Sequence, residues 1–284
     1  MNVRCACVKK SSCLKGPEMN EGEKRNRARV IQRVFEKRYR PGDTEIPFTV
    51  DDIREAVGEV AKTNPDYKEG NIFDVKYEFA SGRHPLPAAV QNLGPWMIAG
   101  RGKAKYAFVK LSAGTEVAIP EDLLSILLPD ATPEIVMEYA GEDEQGILAR
   151  IRYNRLLDIF LQITCYHLQN HWKTSIKNKG GCEIDDLYVG LNVPGKQFVI
   201  PVEAKSVGDR LTKTQIVQMI DFAAVRHQKL ILRPVGVQEM KDGSLVFVEF
   251  TAAEHPDGIK IKEMRRYKLV PMAEVPLDKQ QAQV

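Results

Sequence analysis

The sequence predicts an α/β fold, a mixed central sheet flanked by helices, with a small N-terminal helical region ahead of it. Three observations carry this. Residues 142–250 read as helix, three strands, helix and two strands, an order that points to layered α/β architecture. Residues 23–61 instead carry apolar positions at helical spacing. The chain has 284 residues, enough for one large domain or two modest ones.

Taken in order, residues 23–39 form a basic helix with Val30, Ile31, Val34 and Phe35 on one stripe, closed by Pro41-Gly42-Asp43. Thr49 is a good N-cap for a second helix carrying Ile53, Ala56, Val57, Val60 and Ala61. Asn64-Pro65-Asp66 breaks it, and a third short element holds Ile72, Val75, Tyr77 and Phe79. Three short helical elements, the first basic, fit a helix-turn-helix or winged-helix module as well as a plain helical cap. Residues 96–99 and 106–111 read as strands joined by "GRGKAK". Its Arg101, Lys103 and Lys105 could clamp a phosphate backbone or simply solvate a hairpin tip. Residues 123–128 read as a short apolar helix closed by Pro129.

A long helix is expected over residues 143–160, with Ile147, Leu148, Ile151 and Leu157 facing inward. Strands follow at 164–176, 183–189 and 198–204, separated by turns at Gly180-Gly181 and Pro194-Gly195. Residues 212–227 form a helix, and 230–237 and 245–250 two further strands. The expected organisation is a flexible tail at 1–20, a helical, winged-helix-like DNA-binding region at 21–92, the hairpin with a connecting segment at 93–141, and the main core at 142–284.

The net charge is only +3 but unevenly spread. Residues 1–40 hold twelve Lys/Arg against four Glu, leaving the remainder at −5. A basic segment on a near-neutral body suits a polyanion partner or a solvated helix face. No apolar run reaches the roughly 20 residues of a membrane helix, and no signal-like segment opens the chain, so a cytoplasmic protein without membrane contact is expected. Cys5, Cys7 and Cys13 cluster without a fourth zinc ligand, which favours free thiols. Met19 is a conceivable alternative start.

The chemistry concentrates in "VIPVEAKS", residues 199–206. Alternation puts Glu203 and Lys205 on one strand face while Ala204 joins Val202 and Ile200 on the other. Two charges ending a buried strand need partners or a metal. Glu-x-Lys recurs at Glu239-Met-Lys241, which runs into the Asp242-Gly243 turn with no acidic strand before it. Ahead of Glu203 lie Glu183, Asp185 and Asp186, and the short connection at 190–197 lets these two strands pair. Carboxylates from two strands, with the Ala204 carbonyl, suit Mg²⁺, a hard oxygen-seeking ion. The Lys205 ammonium beside them can orient a water and neutralise developing charge. A plain ion pair at a strand end is the simpler alternative.

Asp185, then Glu203-Ala-Lys205, within this element order, resembles the PD-(D/E)xK, or restriction-endonuclease-like, nuclease superfamily over residues 142–252. The resemblance implies a Mg²⁺-dependent DNA endonuclease with Asp185 and Glu203 holding the metal and Lys205 assisting the water. It implies a further acid from the first core helix, for which Glu144 is the best match; a favourable charge in a helix first turn explains Glu144 equally well. The Pro of the family motif is replaced by "EIDD", so Glu183 or Asp186 could share the role of Asp185. Gln215 completes a capping box with Thr212, with a secondary role near DNA. His167, His171 and Lys173 are strand-surface groups that could touch DNA, and Asn154 and Arg155 have no assignment. The expected function is restriction or phage defence on double-stranded DNA, with a homodimer matching a palindromic site. A repair or junction-resolving nuclease and a non-catalytic DNA-binding protein on a decayed nuclease fold are the alternatives.

Overall fold

The computed structural model describes residues 21–276 except 65–74, 76–77, 81–83, 142, 177–179 and 254. The expected tail, Cys5, Cys7, Cys13, Met19, Ile72 and Tyr77 lie outside the described residues.

The N-terminal unit contains α1 (Glu21–Arg38), β1 (Glu45–Thr49), α2 (Val50–Thr63), α3 (Ala88–Gln91), β2 (Trp96–Gly100) and β3 (Lys105–Lys110). The Thr49 cap forms as expected. Its hydroxyl accepts from the Asp52 N–H at 3.4 Å, and Asp52 accepts from the Thr49 N–H at 2.7 Å, a capping box. The region is less helical than its periodicity suggested. Ile46 and Phe48 alternate inward on β1, and the three strands form an antiparallel sheet in the order β1-β3-β2. The hairpin expected in a separate connecting segment therefore supplies two of these strands. Its Trp96, Ile98, Tyr106 and Phe108 share one core with Val30, Phe35 and Ile53. Phe35 meets Trp96 and Phe108 edge-on at 5.2 and 5.0 Å, a preferred aromatic geometry.

Much of the positive charge on α1 is matched within the molecule. Arg33 and Lys37 bind Glu59 at 2.6 and 2.8 Å, Lys37 binds Glu55, and Arg38 binds Asp52. The hydrogen bonds from Lys37 and Arg33 push the Glu59 carboxyl down to about 2.

The second unit is a mixed eight-stranded sheet with helices on both faces. Its strands are β4 (Ser125–Pro129), β5 (Thr164–Ile176), β6 (Gly180–Leu191), β7 (Gln197–Lys205), β8 (Ile231–Leu232), β9 (Val235–Glu239), β10 (Leu245–Phe250) and β11 (Ile261–Val270). They run in the order β4-β11-β10-β9-β7-β6-β5, with β8 also pairing β7. The β5-β6-β7 meander is antiparallel, whereas β7 and β9 are parallel. Parallel neighbours need a crossover, supplied by α7 (Lys213–Arg226). α7 packs Ile216, Met219 and Phe222 on Val199, Leu187 and Val248. The opposite face carries α5 (Glu144–Tyr153) and α6 (Leu156–Leu161), with Leu148, Ile151 and Phe160 against Ile200, Val202 and Phe247. A six-residue helix, α4 (Glu134–Tyr139), precedes α5.

Several elements differ from the sequence reading. Residues 125–129 form a strand, not a helix, because β11 is available as a parallel partner; a short apolar run does not choose between the two states. β11 itself, half-exposed and charged, gave little apolar periodicity. The helix expected over 143–160 divides at Asn154-Arg155, where Arg155 adopts a left-handed φ of 50°. Asn154 explains the break. Its carbonyl accepts from the Ala131 N–H at 2.6 Å, and its amide donates to Thr132 at 2.8 Å and to the Arg150 carbonyl at 3.0 Å. The strand expected over 230–237 splits around Pro234, which has no N–H for a ladder. Gly180 and Gly181, expected in a turn, already pair with Ile176 and Ser175.

Candidate active site

The end of β7 brings the predicted residues together. Pairing of Asp186 with Val202 sets the β6–β7 register, so the next residues, Asp185 and Glu203, lie across from each other. The Ala204 N–H donates to Asp185 Oδ2 at 3.0 Å. Ala204, expected to offer a carbonyl, thus contributes an N–H that orients the acid. Lys205 Nζ lies 2.9 Å from Glu203 Oε1 and 3.5 Å from Glu144 Oε1. Glu144 therefore reaches the site from the first turn of α5. That turn is fixed by Asp143, which accepts from the Gln145 and Gly146 N–H groups. It is fixed also by Gly146, where a Cβ would stand 1.8 Å from the Gly141 carbonyl oxygen. Thr212 caps the helix by accepting from the Gln215 N–H, but the expected capping box differs: the Gln215 side-chain carbonyl accepts from the Thr212 hydroxyl at 2.9 Å, not from its backbone N–H. The Gln215 amide also donates to Glu203.

The electrostatics are those of a carboxylate cluster around one ammonium. Burial pushes the Asp185 carboxyl up, and the nearby Glu144 and Glu183 add to this against the opposing Lys205 and the Ala204 N–H. Burial alone would lower Lys205, but Glu203, Asp185 and Glu144 outweigh it and hold the group above its ordinary value. It remains an ammonium at neutral pH. The sheet also presents Cys165 and Cys182, whose thiols burial pushes up to about 12, leaving neither as a ready nucleophile.

The three acids of "EIDD" separate cleanly. Asp186 is fully buried on the opposite face, bonded to Arg152 at 3.0 and 3.1 Å, His167 at 2.8 Å and the Tyr188 hydroxyl at 2.9 Å. Glu183 meets Lys173 at 3.2 Å and His171 at 3.7 Å. Asp185 accepts from the β7 backbone beside Glu203. His167, His171 and Lys173 thus serve these carboxylates.

One positioning group had no clear signal. Gln238, buried on β9 opposite Lys205, donates its amide to the carbonyls of Ser206 at 3.1 Å and Lys205 at 3.4 Å. A lone Gln in "VGVQE" was the only hint. Gly236, paired with Glu203, leaves room for Leu211; a Cβ there would approach Leu211 Cδ1 to 2.7 Å.

The residues expected at the DNA hairpin divide. Arg101 is tied to Glu45 at 2.7 Å, whereas Lys103 and Lys105 are exposed at the tip. No helix among the described residues is long and apolar enough to cross a membrane.

The donor set was weighed against the expected Mg²⁺. Among the described residues no three His, Cys, Asp or Glu side chains form a preassembled metal cage. Asp185, Glu203 and Glu144 nevertheless offer only hard oxygens, and their three negative charges exceed the single positive charge of Lys205 by two. A hydrated divalent cation held by one or two carboxylates fits that balance. Comparison with protein-family models, curated proteins and solved structures returned no match.

Proposed function

We propose that the protein is a Mg²⁺-dependent DNA endonuclease of the restriction-endonuclease-like class, acting in restriction or phage defence. The observation that carries this is the meeting of Asp185, Glu203 and Lys205 at one end of the β6–β7 ladder, joined by Glu144. The antiparallel meander followed by a helical crossover to a parallel strand supports the same reading.

Asp185 and Glu203 would hold Mg²⁺, with Glu144 at its border. When bound, the ion supplies polarisation of the phosphodiester and lowers the pKa of an attached water. Asp185 is aimed by the Ala204 N–H and Glu203 by the Gln215 amide. Lys205 orients the attacking water and offsets negative charge developing on the phosphoryl oxygens. The water oxygen forms the new P–O bond, the bond to the leaving sugar oxygen breaks, and the proton lost by water is balanced by one gained at that oxygen.

The N-terminal unit is read as a winged-helix module that grips DNA. Its sheet order β1-β3-β2, with helices before and after β1 and a β2–β3 hairpin at the end, supports this. The hairpin would be the wing, with Lys103 and Lys105 toward phosphate.

Incubation of supercoiled plasmid with the protein and Mg²⁺ tests the reading. Discrete double-strand fragments, absent with EDTA and with Lys205→Ala, are expected, and a homodimer in sedimentation would accompany paired cuts. Scattered nicks would move the assignment to repair or junction resolution. Retarded DNA without cleavage in Mg²⁺ or Mn²⁺, on methylated and unmethylated substrates, would make it a binding protein on a nuclease-like scaffold.

A further inference from the structure

α5 lies over β7, the strand that carries Glu203 and Lys205, with Leu148 and Ile151 in one core with Ile200 and Val202. Glu144 belongs to the same stripe, since Glu144, Ile147, Leu148 and Ile151 recur at i, i+3, i+4 and i+7. It stands at the start of the helix, where β7 ends in Lys205. The rotation of α5 about its own axis therefore decides whether Glu144 meets Lys205. Side-chain ends lie about 5–6 Å from a helix axis, so a turn of roughly 20° moves one by about 2 Å. Apolar burial is non-directional and does not by itself single out one rotation.

Two arginines supply the direction. Arg150 and Arg152 flank the buried Ile151, and at about 100° per residue they leave the helix on opposite sides. Arg150 binds Glu239 at the end of β9. Arg152 binds Asp186 on β6 through two nitrogens, at 3.0 and 3.1 Å. β9 and β6 are the neighbours of β7 on either side in the sheet, so the helix is tied to both strands that border the catalytic one. We propose that Arg150 and Arg152 are positioning residues, opposed tethers that hold α5 so that Glu144 reaches Lys205, a role that rests on the nuclease reading above.

Each tether is built to be stiff. Asp186 is fully buried and is itself held by His167 and the Tyr188 hydroxyl. The Arg150 and Glu239 side chains are only 18% and 15% exposed, and a partly buried pair is screened little by salt. A guanidinium presents its donors in a rigid plane, whereas a lysine offers one mobile point charge. The planar fork thus fixes an angle as well as a distance. Asp185 and Glu203 follow the β6–β7 ladder, so losing the tethers displaces Glu144 and leaves the two metal-holding acids in place. The second Glu-x-Lys pattern acquires a purpose here, because its Glu239 anchors one tether.

The test replaces the forks while keeping the charges, in the variant Arg150→Lys/Arg152→Lys. Single-turnover cleavage at saturating DNA and Mg²⁺ should fall about tenfold, within the range expected of a misplacement near 1 Å. Tm, and DNA affinity measured in Ca²⁺, should stay close to those of the wild-type protein. In a Glu144→Gln background the same two lysines should cost less than about twofold more, because the group they position is already lost. Arg150→Lys alone leaves the fully buried Asp186 with its arginine and carries the same test without risk to the fold: a smaller loss, again abolished by Glu144→Gln. A loss that persists in full in the Glu144→Gln background would overturn the positioning role. A loss of DNA affinity equal to the loss of rate would make the arginines DNA contacts and overturn it as well. Unchanged cleavage in the double-lysine variant would overturn the tethers and leave the nuclease reading intact. Absence of cleavage by the wild-type protein in Mg²⁺ and Mn²⁺ would overturn both.

Discussion

Glu203-Ala-Lys205 and Glu239-Met-Lys241 are the same pattern on neighbouring parallel strands, yet they lie in different chemical worlds. Lys205 pairs in register with Gln238, so Glu239 is one residue further on and faces the other side of the sheet. There it binds Arg150 of α5. Lys241 is exposed in the turn closed by the Gly243 N–H to the Met240 carbonyl. Glu203 instead faces α7 and meets Lys205, Gln215 and, across the ladder, Asp185. A tripeptide acquires chemistry from the strand beside it and from the face it occupies, and the period of two along a strand makes one residue decisive.

The strongest way to break that comparison is to treat both patterns alike. Lys205→Ala or Asp185→Asn should lower DNA cleavage by about 10³-fold, the scale of losing a positioned electrostatic or proton-transfer group. Lys241→Ala should stay within roughly twofold, as for an exposed substitution. Equal losses in single-turnover cleavage would sink the assignment. A second contrast is metal binding. Mg²⁺ at about 100 times its Kd should stabilise the fold by about 2.7 kcal/mol, read as a rise in Tm. Glu239→Gln should keep that rise, and Asp185→Asn should lose it.

Adjacent acids sharpen the same point. Asp186→Asn removes the charge that satisfies Arg152, His167 and Tyr188, and should cost about 2–3 kcal/mol in urea unfolding, given that Arg152 is partly exposed. Asp185→Asn should cost less than Asp186→Asn, since an amide oxygen can still accept from the Ala204 N–H while one crowded buried charge is removed. The smallest loss expected within the site is at Gln215. Its alanine variant keeps the Thr212 side-chain bond to the backbone N–H but removes the amide donor from Glu203. Cleavage should fall about tenfold, equivalent to about 1.4 kcal/mol, with Tm changed far less than by Thr212→Ala, which removes a cap worth about 1 kcal/mol.

Apart from the breaks at Asn154-Arg155 and Pro234, the order of elements from α5 to β10 was legible because strand alternation and helix spacing agree with burial there. Asp185, Glu203 and Lys205 were legible because register follows from alternation and a short connection. Glu144 was legible as a candidate but not as a contact, because no pattern says where a helix start will sit. β4 and β11 were not legible: a strand completed by a distant parallel partner has no local signature. Nor was the role of Asn154 or Gln238, since side chains that bond to backbone carbonyls and N–H groups reveal themselves only when those groups are in place.

The doublet Asp185-Asp186 has a consequence for how the strand tolerates error. Both acids are engaged, one on each face, by groups that require a negative partner. A slip of β6 by one residue would set Leu187 where Asp186 meets Arg152, or Ile184 where Asp185 meets Lys205, so either direction leaves one cation without its carboxylate. The slip would also move Leu187 and Tyr188, buried on opposite faces, to the wrong sides of the sheet. Exchanging them would drive a phenol under α7 and strip Asp186 of its hydroxyl donor. The charges and the apolar neighbours together keep the acids in their places.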